Sequence, residues 1–127
     1  CTVTGSYLLL YRAVYNLVEN AIKYNHPGGK VTVKISQKKA VPDPSEPSHT
    51  TDCAFVEISD TGIGISPEFQ EKIFAPFFRV DKSRSRAMGG AGLGLALVNE
   101  IARQHGGQVK VVESNEKGST IALILPC

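Results

Sequence analysis

The chain has 127 residues, a mass of 13.6 kDa and a net charge of +2 from 14 basic and 12 acidic side chains. With 42% hydrophobic and 20% charged residues it reads as one soluble globular domain, not a disordered tail. The near balance of charge is not that of a nucleic-acid binder. The longest apolar run, Ile121 to Leu125, is far short of the ~20 residues of a membrane helix, and no signal-peptide pattern opens the chain.

Residues 7–25 predict a helix, because Val14, Leu17, Val18, Ala21 and Ile22 recur at helical spacing before Pro27-Gly28-Gly29. Residues 30–37 alternate Val31, Val33 and Ile35 with Thr32, Lys34 and Ser36, the pattern of a half-buried strand. Residues 39–52, with Pro42, Pro44 and Pro47, predict an exposed loop. A second strand, 54–59, runs into Asp60-Thr61-Gly62. Ser66-Pro67-Glu68 then starts a short helix reaching about Phe74. Residues 75–91 lack periodicity and carry Arg79, Lys82, Arg84 and Arg86 against one acid, Asp81, so they predict a mobile cationic loop. A strong helix follows from Gly92, with Leu93, Leu97, Ile101 and His105 four apart, and Gly106-Gly107 stops it. Strands 109–113 and 120–125, joined by residues 114–118, close the chain as a hairpin. This order predicts an α+β fold over residues 1–127. It is a two-layer α/β sandwich, in which a mixed, mostly antiparallel sheet carries helices on one face.

The three cysteines, at positions 1, 53 and 127, have no C-x-x-C spacing and are odd in number. That argues against a zinc site and a disulfide scaffold, and for a reducing compartment. Glycines cluster at 62 and 64, at 89, 90, 92 and 94, and at 106 and 107, as where backbone approaches a ligand.

Three segments carry chemistry. Asn16, Asn20 and Lys23 share a face of the first helix. Asparagine gains nothing there by helix propensity, while amide oxygens suit Mg²⁺ completed by water and phosphates; a solvated polar face is the other reading. Asp60-Thr61-Gly62-Ile63-Gly64 offers a carboxylate to an exocyclic amine beside glycines that admit a flat ring, or is a plain strand-ending turn. Gly90-Ala91-Gly92-Leu93-Gly94 opens a helix whose N–H groups can bind phosphate, or serves as a hinge. Neither G-x-x-x-x-G-K-[ST] nor G-x-G-x-x-G occurs.

Together and in order, N-L-V-E-N-A-I-K-Y (16–24), D-T-G-I-G (60–64), F-A-P-F-F-R (74–79) and G-A-G-L-G-L (90–95) resemble four boxes of the ATP-binding catalytic domain of sensor histidine kinases, relatives of gyrase-type ATPases. The resemblance runs from about residue 5 to the end. It implies binding of ATP with Mg²⁺ and transfer of the γ-phosphoryl group to a histidine on a separate dimerisation domain. A response regulator lies downstream, and the domain itself touches neither nucleic acid nor membrane. It implies a cytoplasmic site of action, in a full-length protein free to be anchored in the cell membrane. By position, Asn20 resembles the Mg²⁺ ligand with Asn16 in support, and Lys23 a phosphate contact; these three form the implied catalytic group. Tyr24 resembles a ring on the adenine and Asp60 the carboxylate that reads its amine, with Gly62 and Gly64 flanking the base. Arg79 in the lid, and Gly90, Gly92 and Gly94, resemble phosphate and hinge positions. Ile65, Leu93 and Thr120 complete the implied nucleotide-contacting set. Phe74, Phe77 and Phe78 are expected to pack and set the lid. His26, His49 and His105 do not resemble the phosphoacceptor motif and read as surface or capping residues.

Gyrase-type relatives are expected to carry a basic glutamate where this chain has Asn16. An amide cannot take a proton from water, so the sequence favours ATP delivery over hydrolysis. A nucleotide-binding interaction module and an ATPase clamp are the competing readings.

Overall fold

The computed structural model describes residues 1–76, 78 and 94–127. Its elements are helix α1 (Tyr7–Lys23), strands β1 (Val31–Ala40) and β2 (Thr51–Asp60), two single 3₁₀ turns (Pro67–Phe69 and Lys72–Phe74), helix α2 (Gly94–Gln104), and strands β3 (Gln108–Asn115) and β4 (Gly118–Pro126). The described strands form one sheet in the order β1-β2-β4-β3. All three pairings are antiparallel, so the expected admixture of parallel strands is absent among the described residues.

β4 is central and buried along nearly its whole length. This explains why it is the one continuous apolar run. Ile121, Leu123 and Leu125 face the helices, and Ala122 and Ile124 face the other side. Beneath the helices, Ala13, Leu17 and Ala21 of α1 meet Val98, Ile101 and Ala102 of α2 over the sheet. On the open face a smaller cluster joins Cys53, Ala122 and Ile124, with Phe55 beside it and the Lys38 ammonium 4.4 Å from the Phe55 ring centre.

Four local expectations change. The strands are longer than their alternation suggests, which shortens the proline loop to residues 41–50 and the closing hairpin turn to Glu116-Lys117. Only the start of the proline loop departs from the expected exposure: Pro42 is buried and the Gln108 side chain donates to the Val41 carbonyl at 2.9 Å, while residues 44–50 are exposed. The Ser66 segment makes 3₁₀ turns and not an α-helix, and the Ser66 side chain makes no capping bond among the described residues. Finally, Cys1 and Cys127 are joined in a disulfide, with Cα atoms 5.5 Å apart, and Cys53 is free and buried. The expectation against a disulfide rested on count and spacing, and these do not reveal which chain ends the fold brings together.

Both ends are brought to the C-terminus of α2. Gly5 packs on the His105 ring, and Pro126 lies against Gly106. The His105 Nε2 accepts from the Ser6 N–H at 3.1 Å, and its Nδ1 pairs with the Ile101 carbonyl at 2.7 Å. His105 therefore caps α2 and also anchors the entry to α1, where the Ser6 hydroxyl accepts from the Leu9 N–H at 3.3 Å.

Candidate functional site

Three described pieces of chain converge beside the C-terminal half of α1. On α1 itself, Asn16, Asn20 and Lys23 are half-buried and share a face. The Asn16 Nδ2 donates to the Gly94 carbonyl at 3.4 Å, so it ties α1 to the first residue of α2 and leaves its amide oxygen free to accept. The Asn20 side chain makes no hydrogen bond among the described residues. The Lys23 ammonium is 3.1 Å from Glu19 Oε1, one turn back on the same helix.

The second piece is the turn after β2. The Asp60 Oδ1 accepts from the Gly62 N–H at 2.9 Å and the Ser119 N–H at 3.3 Å, and its Oδ2 accepts from the Ser119 hydroxyl at 3.1 Å. The carboxylate is thus held by β4 and by its own turn, with one lone-pair site on Oδ2 to spare. Ser119 is buried. Beside it the Ser59 and Thr120 hydroxyls pair at 2.8 Å across the strands. The turn rests on the end of α1, since the Ile63 N–H donates to the Tyr24 carbonyl at 3.4 Å.

Glycine is required in this turn by the protein's own backbone. A Cβ on Gly62 would run into the Tyr24 carbonyl and sit 3.0 Å from the Asn25 Cα. Gly64 has φ +75° and faces the Asn115 carbonyl. The sequence suggests glycines that admit a ligand. The structure shows in addition that both let the turn seat against neighbouring chain. Ile65 is fixed next, its N–H donating to the Ser114 hydroxyl at 2.6 Å, while its carbonyl accepts from the Gln70 side chain at 3.1 Å.

The third piece is the start of α2. Gly94 is exposed, and a Cβ there would meet nothing within 4 Å. Arg79, Gly90, Gly92 and Leu93, with Phe77 and the cationic loop, lie outside the described residues. Among the described residues no cluster of three His, Cys, Asp or Glu side chains is placed to hold a metal. The donor set that fits Mg²⁺ is instead the pair of α1 amides: hard oxygens one turn apart, with the Asn16 nitrogen already engaged so that its oxygen is the free atom. A groove of about 390 Å³ between Gln70, Glu71, Phe74, Asn99 and Val109–Val111 contains none of the site residues read from the sequence. Phe74 packs as expected, buried in the core, and the Phe78 and Phe69 rings meet at a tilt of 45° with centres 5.7 Å apart.

Sequence reading missed Ser119 and Ser114, the residues that hold Asp60 and Ile65 in place. It also missed Asn25, whose side chain donates to the Lys30 carbonyl at 2.8 Å and whose oxygen takes the Thr61 hydroxyl at 3.1 Å. Each reads alone as an ordinary turn or strand-end polar residue.

The site lies on a two-layer sandwich, with asparagines on its first helix and a glycine-framed carboxylate at the end of its second strand. The family described as histidine kinase-, DNA gyrase B- and HSP90-like ATPase matches residues 5–127, and this chain belongs to it. Within it, the chain is the ATP-binding catalytic domain of a sensor histidine kinase. It is similar to the sensor-like histidine kinase SenX3 of Mycobacterium tuberculosis, 42% identical over 124 residues that cover 98% of this chain and 27% of that protein. It is also similar to the sensor histidine kinase RppB of Synechocystis, 39% identical over 122 residues, covering 96% of this chain and 24% of the relative. Among solved structures, the mycobacterial sensor histidine kinase MprB superposes with a TM-score of 0.77 at 34% identity, covering 98% of this chain and 76% of that one. A nucleotide-free catalytic domain of the histidine kinase ThkA superposes at 0.70 and 28% identity, covering 98% and 70%. The chain spans about a quarter of the length of these curated relatives. No described helix is long and apolar enough to cross a membrane.

Proposed function

We propose that this domain binds ATP with Mg²⁺ and delivers the γ-phosphoryl group to a histidine on a separate dimerisation domain, at the cytoplasmic side, for later relay to a response regulator. The observation that carries the reading is Asn16. At the position where a hydrolase needs a base, this chain has an amide whose nitrogen is engaged by Gly94, so no group there deprotonates water.

In this reading Asp60 accepts the exocyclic amine of adenine with the remaining lone pair of Oδ2, while Ser119 and Gly62 hold it in place. Tyr24, Gly62, Gly64, Ile65 and Thr120 frame the base. Lys23 exchanges Glu19 for a phosphate oxygen, and Arg79, Gly90, Gly92, Leu93 and Gly94 complete the phosphate side. Asn20 and Asn16 hold the metal, which when bound offsets the charge of the phosphates. A ring nitrogen of the acceptor histidine forms an N–P bond as the β,γ-bridging P–O bond breaks. ADP leaves and the ring proton passes to solvent. Catalysis is then mostly positioning and charge neutralisation.

The test mixes this chain with a separately prepared acceptor-helix domain and γ-labelled ATP. Acid-labile, base-stable label on the acceptor is expected. Tight ATP binding without label leaves a nucleotide-binding interaction module. Steady ATP turnover by the chain alone, lost in Glu19→Ala, makes it an ATPase clamp.

A further inference from the structure

Helix α1 has two apolar faces, and the domain uses one. Leu10, Ala13, Leu17 and Ala21 turn toward the sheet and α2. Further round the helix, Tyr7, Leu8, Tyr11, Tyr15 and Ile22 stand 83%, 72%, 59%, 49% and 61% exposed. The three tyrosines stack along the helix, with ring centres 6.4 and 6.3 Å apart. At ~200 Å² per aromatic side chain, the tyrosines alone leave about 400 Å² in water. That equals the largest apolar patch of a typical monomer, and such patches mark interaction sites.

The charges beside this stripe indicate what covers it. Arg12 and Glu19 are two turns apart, so both lie on the same flank, between the stripe and the asparagine face; Glu19 holds Lys23 through Oε1 at 3.1 Å and has Oε2 to offer a partner. We propose that the stripe pairs two copies of this chain, α1 against α1, antiparallel about a two-fold axis near Tyr15. Antiparallel pairing sets a flank against itself. Arg12 of one copy therefore meets Glu19 of the partner subunit, and the contact occurs twice by symmetry. Placing Tyr7 opposite Ile22 and Tyr11 opposite Val18 offsets each Arg12–Glu19 pair by ~3 Å along the axis, within reach of both side chains. A parallel two-fold pair puts the two copies of this flank on opposite sides of the interface, so Arg12 meets no Glu19 there. The stripe is ~24 Å long. Two such faces bury on the order of 1,000 Å², the size of a weak, transient interface.

Sedimentation velocity on the purified chain tests this, from about ten micromolar to about one millimolar, the range in which such an interface populates. Reductant is present throughout, so that exchange of the Cys1–Cys127 bond is not read as α1 pairing. The average mass is expected to rise from 13.6 kDa toward twice that value. Tyr11→Glu should stay monomeric throughout, with circular dichroism showing the fold intact. Arg12→Glu should weaken association about fivefold, and adding Glu19→Arg to it should restore association. A wild-type chain that is monomeric at the highest concentration overturns the proposal, as does one that binds only an added amphipathic helix of other origin. A dimer indifferent to Tyr11→Glu, or a charge reversal that fails to restore association, overturns it equally.

Discussion

Asp60→Asn separates recognition of the base from support of the fold. In the native turn Asp60 accepts three hydrogen bonds, from the Gly62 N–H, the Ser119 N–H and the Ser119 hydroxyl. An asparagine can keep the first two through its amide oxygen. It can keep the third with roles reversed, because a hydroxyl also accepts. The fold therefore loses only the charge assistance of these bonds, about 1 kcal/mol in all. The nucleotide loses more. A donor replaces the acceptor that would face the adenine amine, and a hydrogen bond to a charged group contributes ~1.5–3 kcal/mol. ATP affinity should fall ~10- to 150-fold, while the unfolding midpoint shifts by a few degrees. Asp60→Ala is the poorer experiment, because it orphans all three donors and unfolding obscures binding. Isothermal calorimetry with ATP and GTP beside thermal denaturation gives both quantities. An Asp60→Asn variant that is folded and binds ATP with native affinity refutes the assignment of Asp60 to the base.

Asn20→Ala should abolish the Mg²⁺ dependence of ATP binding while adenosine still binds; calorimetry with and without chelator reads this, and persistent Mg²⁺ dependence would remove Asn20 from the metal. Gly62→Ala should destabilise the fold by ~1–3 kcal/mol, because the added methyl meets Tyr24 and Asn25 backbone that cannot turn away; an unchanged denaturation midpoint would mean the turn is free to shift. Cys53 gives a pH signature. Burial pushes its thiol above the ordinary 9.0, so the folded state keeps the proton after the unfolded chain has lost it. Its contribution is complete below pH 9.0 and is lost as pH rises through the folded value. The urea midpoint should fall above that pH more steeply in wild type than in Cys53→Ala, and parallel slopes would contradict this.

How much of this was legible in the sequence depends on the kind of signal. α1, α2 and β4 announce themselves because burial imposes a periodicity: 3.6 along the helices, and continuous for a strand covered on both faces. The strand ends are less visible, since Lys39, Thr51 and Gln108 are bound by ladder partners and not by apolar contacts. The candidate site is legible as types and order, two amides, a carboxylate and glycines. Its supports are not, because Ser119 and Ser114 act from strands some 50 to 60 residues away in sequence. The disulfide is hidden for the same reason. Cys1 and Cys127 meet only because Gly5 and Pro126 both converge on the end of α2.

In the proposed function, the choice between delivering and hydrolysing ATP is linked to how α1 meets α2. The Gly94 carbonyl, at the start of α2, accepts the Asn16 amide at 3.4 Å as a second donor. Asparagine at position 16 supplies that donor and keeps an oxygen for the metal side. Glutamate or aspartate would supply the general base for water but place a carboxylate against the Gly94 carbonyl, two acceptors with no proton between them. An ionised carboxylate at position 16 would forgo this contact between the helices. In the proposed function, the residue that ties α1 to the start of α2 is the same one that offers water no base, which favours an external nucleophile as the phosphoryl acceptor.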